Sequence, residues 1–253
     1  MTLGSVFESS SHSLVVAAVG RADTEVVVKV QVPHRESEHE AAALAHFDGD
    51  GAVRLLDSAD DGHSLLLERC RPGRPLAAAD PEAALGVFVD LLPRLWRPAG
   101  APFRSVEDEV AHWAVSLPHS WEGAGRPCPR RLVEAALDEL AGLAASQGER
   151  VLVHQDLHAG NVLSARRRPW LVIDPKPLLA ERAFAVAPIV RGAELGAERR
   201  DVLRRLDRLA DELALDRRRC LGWTLGQSMA WGFDGRRALG HHLQVATWLE
   251  ALV

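Results

Sequence analysis

The residues best suited to do chemistry lie in two neighbouring stretches, VLVHQDLHAGNVL at 151–163 and WLVID at 170–174. The first sets His154, Asp156 and Asn161 at the spacing H-x-D-x-x-x-x-N, and the second ends an apolar run on Asp174. Phosphoryl transfer calls for these residue types. Its transition state is reached mainly through positioning and charge stabilisation, so a site needs a carboxylate to orient an acceptor hydroxyl and take its proton. It also needs hard oxygen ligands for magnesium. Asp156 suits the first task, and Asn161 and Asp174 suit the second. His154 belongs to the catalytic loop as a residue that organises it rather than one that shuttles protons. Asn161 is the only asparagine in the chain.

Composition singles out a further residue. Of 30 basic residues only Lys29 and Lys176 are lysine, tyrosine is absent, and isoleucine occurs only as Ile173 and Ile189. We read this as a coding bias that replaces such residues wherever a chemical neighbour serves, so a retained lysine invites a reason. An ammonium is a compact point charge that fits among phosphate oxygens, whereas a guanidinium is a broad planar fork. Lys29 lies in the apolar run EVVVKVQV. Lys176 follows Asp174 in IDPKP, where it either meets a phosphate or simply ends the strand.

The elements that must position these residues are legible from pattern. The β-branched runs at 13–19 and 25–32, separated by GRADT, predict two antiparallel strands joined by a turn. Pro33 opens a helical pattern in which Glu40, Leu44 and Phe47 share a face, with Glu36 one turn earlier as the competitor of Glu40. Strands are expected at 52–56 and 64–68, followed by the Pro/Gly-containing connector RCRPGRPL. Helices are expected at 81–96, 106–115 and 130–145, with a Pro/Gly/Trp-rich break from 117 to 129. A β island is expected at 151–154 and 170–174, and helices again from 195 to 253.

HQDLHAGNVL followed by VIDPKPLL resembles the aminoglycoside phosphotransferases, particularly their streptomycin and hydroxyurea resistance kinase branch. VVVKVQVPHRESEHEAAAL is similar to the strand and helix that present an ATP-contacting lysine and its glutamate. LLLERCRPGRPL is similar to the hinge, and RRRCLGWTLGQSMAWGFDG to the C-terminal helices. The resemblance implies an α+β, protein-kinase-like fold of two lobes. A small β-rich N-lobe would span 1–67, a hinge 68–76, and a larger α-rich C-lobe 77–253. It implies ATP and Mg²⁺ as cofactors, with Lys29 on the ATP phosphates, Glu40 holding Lys29, and the backbone of Glu68, Arg69 and Cys70 facing adenine. The implied acceptor is a small-molecule hydroxyl, on an aminoglycoside such as streptomycin or, alternatively, on hydroxyurea or another small metabolite. A polycationic acceptor needs carboxylates, so Glu181, Glu194 and Asp234 join Lys176 as candidate acceptor contacts. The sequence also departs from the family. There is no G-x-G-x-x-G loop, leaving the serine-rich ESSSHS to cover the phosphates, and Phe184-Ala185 stands where the family often has Phe-Asp. Members of this branch usually carry a helical segment before the first strand, whereas here the first strand is expected almost at once.

The remaining composition narrows the alternatives. A net charge of −5 and the lack of a sustained basic run argue against nucleic acid and suit a cationic small molecule. No stretch approaches the roughly 18 apolar residues of a membrane span, and the first residues do not read as a signal peptide, so a cytoplasmic monomer or homodimer is expected. Cys70, Cys128 and Cys220 lack CxxC spacing and read as plain thiols. A metal-dependent hydrolase is the alternative of another class, since His154, Asp156 and His158 alternate along one extended segment. That reading leaves Lys29 and Asn161 without a purpose.

Overall fold

The computed structural model describes residues 1–7 and 12–253. Its first part is a five-stranded antiparallel sheet of β1 (Thr2–Val6), β2 (Ser13–Val19), β3 (Glu25–Gln31), β4 (Leu55–Ala59) and β5 (Ser64–Glu68), in the order β1-β2-β3-β5-β4. The two expected central strands form in register, Val15 opposite Lys29 on one side and Leu65 opposite Lys29 on the other. Strand β1 had no counterpart in the sequence reading. All five of its residues are exposed, so it carries no one-sided apolar alternation to reveal it. The fourth strand begins later than expected because residues 51–53 are diverted. Val53 N donates to Val172 O at 2.9 Å and Val172 N to Gly51 O at 2.9 Å, which ties this sheet to the second part of the molecule.

Between β3 and β4 lies α1 (Glu40–Phe47), which buries Glu40, Ala43, Leu44 and Phe47. It is shorter than the helix expected from Pro33 onward, and Glu40 is its first residue.

The second part is mainly helical. Helix α2 (Pro81–Leu95) starts on Asp80, whose carboxylate accepts from the backbone N–H groups of Glu82 and Ala83 at 3.0 Å, and buries Ala84, Leu85, Phe88, Leu91, Leu92 and Leu95. Those positions form one apolar stripe at helical spacing. Helix α3 (Val106–Gly123) begins with a reciprocal Ser105 and Asp108 capping box and continues eight residues beyond the expected end at 115. It passes through Pro118 because Trp113, Leu117 and Trp121 recur on its buried face, and that burial outweighs one missing backbone bond. Helix α4 (Arg130–Ala145) packs on α7 (Arg217–Ala230). The latter is buried continuously from Cys220 to Met229 and forms the axis of this lobe. At Gly226 a Cβ would lie 2.4 Å from Leu140 Cγ, so the close approach of α7 to α4 requires glycine there.

The expected β island is present as two small antiparallel ladders. Strand β6 (Arg150–His154) pairs with β9 (Pro177–Glu181), and β7 (Val162–Ser164) with β8 (Trp170–Val172). Short α5 (Ala187–Arg191), α6 (Arg199–Glu212) and α8 (Gly240–Glu250) complete the lobe. The expected all-helical C-terminal part is interrupted by a hairpin of β10 (Phe233–Asp234) and β11 (Arg237–Ala238). Among the described residues no helix is long and apolar enough to cross a membrane.

Candidate active site

A cleft of about 580 Å³ opens between the sheet lobe and the helical lobe. Strand β3 and α1 bring Lys29 and Glu40 into it, and Lys29 Nζ lies 2.9 and 2.7 Å from the two Glu40 carboxylate oxygens. The same ammonium is hydrogen-bonded to Asp174 from the opposite lobe. Lys29 is 5% and Glu40 1% exposed, so this is a buried pair. Burial pushes the Glu40 carboxyl up to about 7 against the pull of Lys29, and Asp174 adds to the rise. Burial works against the charge of Lys29, but Glu40 and Asp174 together hold it above the ordinary lysine range. Asp174 is likewise opposed by burial and brought below the usual carboxylate range by Lys29.

Asp174 follows β8 with φ 54°, in the left-handed region that aspartate and asparagine tolerate better than most residues. Asn161, on the turn before β7, donates its side-chain N–H to the Asp156 carbonyl at 3.0 Å. Only nitrogen can face a carbonyl, so the side-chain amide oxygen points the other way, and the Asn161 backbone carbonyl separately accepts from the Ile173 N–H at 2.9 Å. One carboxylate and one amide oxygen on adjoining segments form a hard donor set that fits magnesium.

His154 organises this loop through its ring. Its Nδ1 accepts from the backbone N–H groups of Asp156 (3.1 Å) and Lys176 (3.3 Å), which leaves Nε2 to donate to the Ile173 carbonyl at 3.3 Å. Burial pushes it down to about 4, so it is neutral at physiological pH. With both nitrogens committed to backbone it has none to offer a metal. His158 Nδ1 lies 3.3 Å from Glu194, whose carboxylate also accepts from Ala159 N–H at 2.9 Å. Among the described residues no group of three or more His, Cys, Asp and Glu side chains is gathered to hold a metal, and the hydrolase reading finds no support.

The Asp156 carboxylate is gripped by two cations. Lys176 Nζ lies 2.8 Å from one oxygen and an Arg191 nitrogen 3.6 Å from the other. Lys176 also reaches Glu36 at 3.3 Å, and both cations sit over the Trp231 ring, at 4.9 Å for Lys176 and 4.8 Å for Arg191. Arg191 is 4% exposed and hydrogen-bonded to Gln227 of α7. Burial lowers it to about 10, which leaves it charged at neutral pH. Arg191 had no signal in the sequence because arginine is abundant in this chain. The lysine scarcity that flagged Lys29 was the signal that flagged Lys176.

Other expected residues lie elsewhere. Glu181 is turned into the helical core, where Arg219 Nε donates to it at 2.8 and 2.9 Å and the Trp223 indole N–H also donates. It is a structural acid and does not line the cleft. Asp234 is exposed on the β10–β11 hairpin, and its neighbour Phe233 is the residue that lines the cleft. The Glu68 side chain takes a bidentate contact from Arg167, both bonds 2.8 Å, and Arg69 reaches Glu25 at 3.6 Å. Cys70 is a buried thiol pushed up to about 12 by burial. Within ESSSHS, residues 8–11 lie outside the described residues, whereas His12 and Ser13 line the cleft. The cleft is also lined by Glu36, His112, Trp113, Trp231, Phe233 and His242.

A sheet lobe presenting a lysine and glutamate pair, set over a helical lobe with a catalytic loop, defines a protein-kinase-like phosphotransferase. Solved structures share this fold. The protein superposes on a ternary complex of an aminoglycoside phosphotransferase mutant with ADP and hygromycin B at a TM-score of 0.66, covering 98% of this chain and 92% of the other at 17% identity. It superposes on choline kinase from Streptococcus pneumoniae at 0.67, covering 99% and 95% at 13% identity. The profile of the aminoglycoside/hydroxyurea antibiotic resistance kinases matches residues 3–235. Streptomycin 6-kinase of Streptomyces glaucescens is 37% identical over 94% of this chain and 81% of its own length. Hydroxyurea phosphotransferase of Kitasatospora aureofaciens is 41% identical over 88% and 67%. The chain belongs to the aminoglycoside/hydroxyurea antibiotic resistance kinases.

Proposed function

We propose that the protein transfers the γ-phosphoryl group of ATP to a hydroxyl of a streptomycin-like aminoglycoside, with Asp156 as the base. The observation that carries this reading is the Asp156 carboxylate held by Arg191 and by Lys176, a residue that lines the same cleft as Lys29, Glu40 and Asp174. Asp156 orients the acceptor hydroxyl and takes its proton as the oxygen attacks phosphorus. Lys29 holds nucleotide phosphates while Glu40 holds Lys29, and the backbone of Glu68, Arg69 and Cys70 faces adenine. Asn161 and Asp174 would hold Mg²⁺, which supplies neutralisation of phosphate charge. His154 keeps the loop in shape through its backbone bonds. Lys176 lies where it can follow the charge that shifts between Asp156 and the transferred group. The lobe divisions 1–67, 68–76 and 77–253 remain the working boundaries of this reading.

Acidic Glu36, which also meets Lys176, and the aromatic Trp113 and Phe233 suit a cationic acceptor with flat guanidinium groups. The identity to a hydroxyurea phosphotransferase favours hydroxyurea as the second reading. An acceptor screen decides between them. Nucleotide consumption by the purified protein with Mg²⁺ is compared for streptomycin, other aminoglycosides, hydroxyurea and simple sugars. Streptomycin-dependent formation of ADP and a phosphate ester is expected, and turnover with hydroxyurea alone would replace the first reading by the second.

A further inference from the structure

The segment 34–39, between β3 and α1, belongs to the sheet lobe by sequence, yet its charged side chains are held from the helical lobe. Arg35 Nε lies 3.0 Å from the carboxylate of Glu109 on α3, and a second Arg35 nitrogen donates to the Asp108 carbonyl at 3.3 Å. Arg104, just before α3, donates to the Arg35 carbonyl at 2.6 Å and to Glu38 at 2.7 Å, and lies 3.6 Å from the same Glu109 oxygen. Arg104 is itself fixed, because its carbonyl accepts from the Leu179 N–H of β9 at 2.8 Å. Glu109 is 2% exposed, and a carboxylate that deep persists as a charge only with cationic partners.

The segment leads directly into Glu40, the first residue of α1. His39 caps that helix without any side-chain hydrogen bond. The helix start is instead held by tight backbone turns, with the N–H groups of His39 and Glu40 donating to the Ser37 carbonyl at 3.1 and 3.2 Å. A helix end without its own cap takes its placement from what precedes it. What precedes it here is anchored, through Arg35 and Glu38, to Arg104 and Glu109.

We propose that Glu109 is a positioning residue for nucleotide binding. Through Arg35 and Arg104 it sets the start of α1 and thereby the reach of Glu40 to Lys29. Glu109 also lines the cleft, but the role proposed is exerted through Arg35 and Arg104 rather than by its own contact with a ligand. The proposal rests on the reading that Lys29 and Glu40 serve the nucleotide phosphates.

The test is a double-mutant cycle read by calorimetric titration with Mg·ADP, with a thermal melt of each preparation. Glu109→Gln keeps the shape and removes the charge. It is expected to weaken Mg·ADP binding at least about fivefold in the parent, and less than about 1.5-fold in a Glu40→Gln background, where nothing is left to position. Glu109→Asp, which keeps the charge, is expected to retain most of the affinity. Unchanged affinity in Glu109→Gln, or the same fold-loss in both backgrounds, overturns the proposal, since a merely structural role acts independently of Glu40. If Glu40→Gln alone leaves affinity unchanged, the nucleotide role of the pair fails instead. Should Glu109→Gln not fold, Arg104→Lys enters the same cycle, because it keeps the charge and loses the fork that joins Glu38, Glu109 and the Arg35 carbonyl. The same dependence on Glu40 is expected of it, and equal losses in the two backgrounds overturn the proposal as before.

Discussion

At the scale of single residues, Asp174 combines two demands that can be separated by mutation. Its carboxylate meets Lys29, and its backbone sits at φ 54°. Asparagine tolerates that conformation and alanine does not, at a difference of about 1 kcal/mol. Both Asp174→Asn and Asp174→Ala are therefore expected to weaken Mg·ADP binding, while denaturant melts show the alanine variant less stable than the asparagine variant by about that amount. Equal stabilities would remove the backbone from the account. The spacing of Asp156, Asn161 and Asp174 could be read from the sequence because phosphoryl transfer calls for those residue types at that spacing, and Lys29 stood out by the scarcity of lysine. Arg191 was not, because nothing local distinguishes an arginine that is buried over an indole from the many on the surface.

At the scale of elements, the close contact of α4 and α7 builds the floor from which Gln227 meets Arg191. An alanine methyl at Gly226 would press on Leu140, and overpacking of this kind costs about 1–3 kcal/mol, only partly offset by better helix propensity. Gly142 on α4 is the opposite case, with nothing within 4 Å of an added Cβ. Thermal melts should show Gly226→Ala destabilised by roughly 1–2 kcal/mol and Gly142→Ala stabilised by up to about 1 kcal/mol. A stabilised Gly226→Ala would mean that the two helices can part without loss. Pattern located most elements, since burial on one face writes its period into the sequence. It missed β1, whose residues are exposed, and ended α3 at 115, short of Pro118, which the buried stripe of Trp113, Leu117 and Trp121 carries through. Glu181 was misplaced for a related reason. Its partners Arg219 and Trp223 lie on α7, and no local pattern announces that a strand-end acid faces inward.

At the scale of the whole molecule, the two lobes meet on buried charge, and stability should respond to pH accordingly. His154 is depressed to about 4 in the folded protein, so the unfolded chain binds the extra proton first, and about 2 kcal/mol of stability is lost as pH falls from 7 to 5. Glu40, raised to about 7, acts in the opposite sense, because the folded state takes up its proton first over the same window. Glu40→Gln removes that compensation. Denaturant melts at pH 7 and pH 5 should show the variant losing on the order of 1–2 kcal/mol more than the parent on acidification. Parallel losses would mean that Glu40 keeps its charge throughout. The two-lobed architecture was legible from the order of strand-rich and helix-rich segments together with the family resemblance. The contacts that join the lobes were not, because they pair residues such as Arg35 and Glu109, or Glu68 and Arg167, that are far apart in the chain. The central claim is that Asp156 acts on the acceptor hydroxyl while the nucleotide is held by other residues. Asp156→Asn keeps the size of the side chain and removes its basicity, so its phosphoryl transfer and its calorimetric affinity for Mg·ADP are measured on one preparation. The account predicts transfer reduced at least about a hundredfold with nucleotide affinity within about twofold of the parent. Full turnover by Asp156→Asn would contradict it.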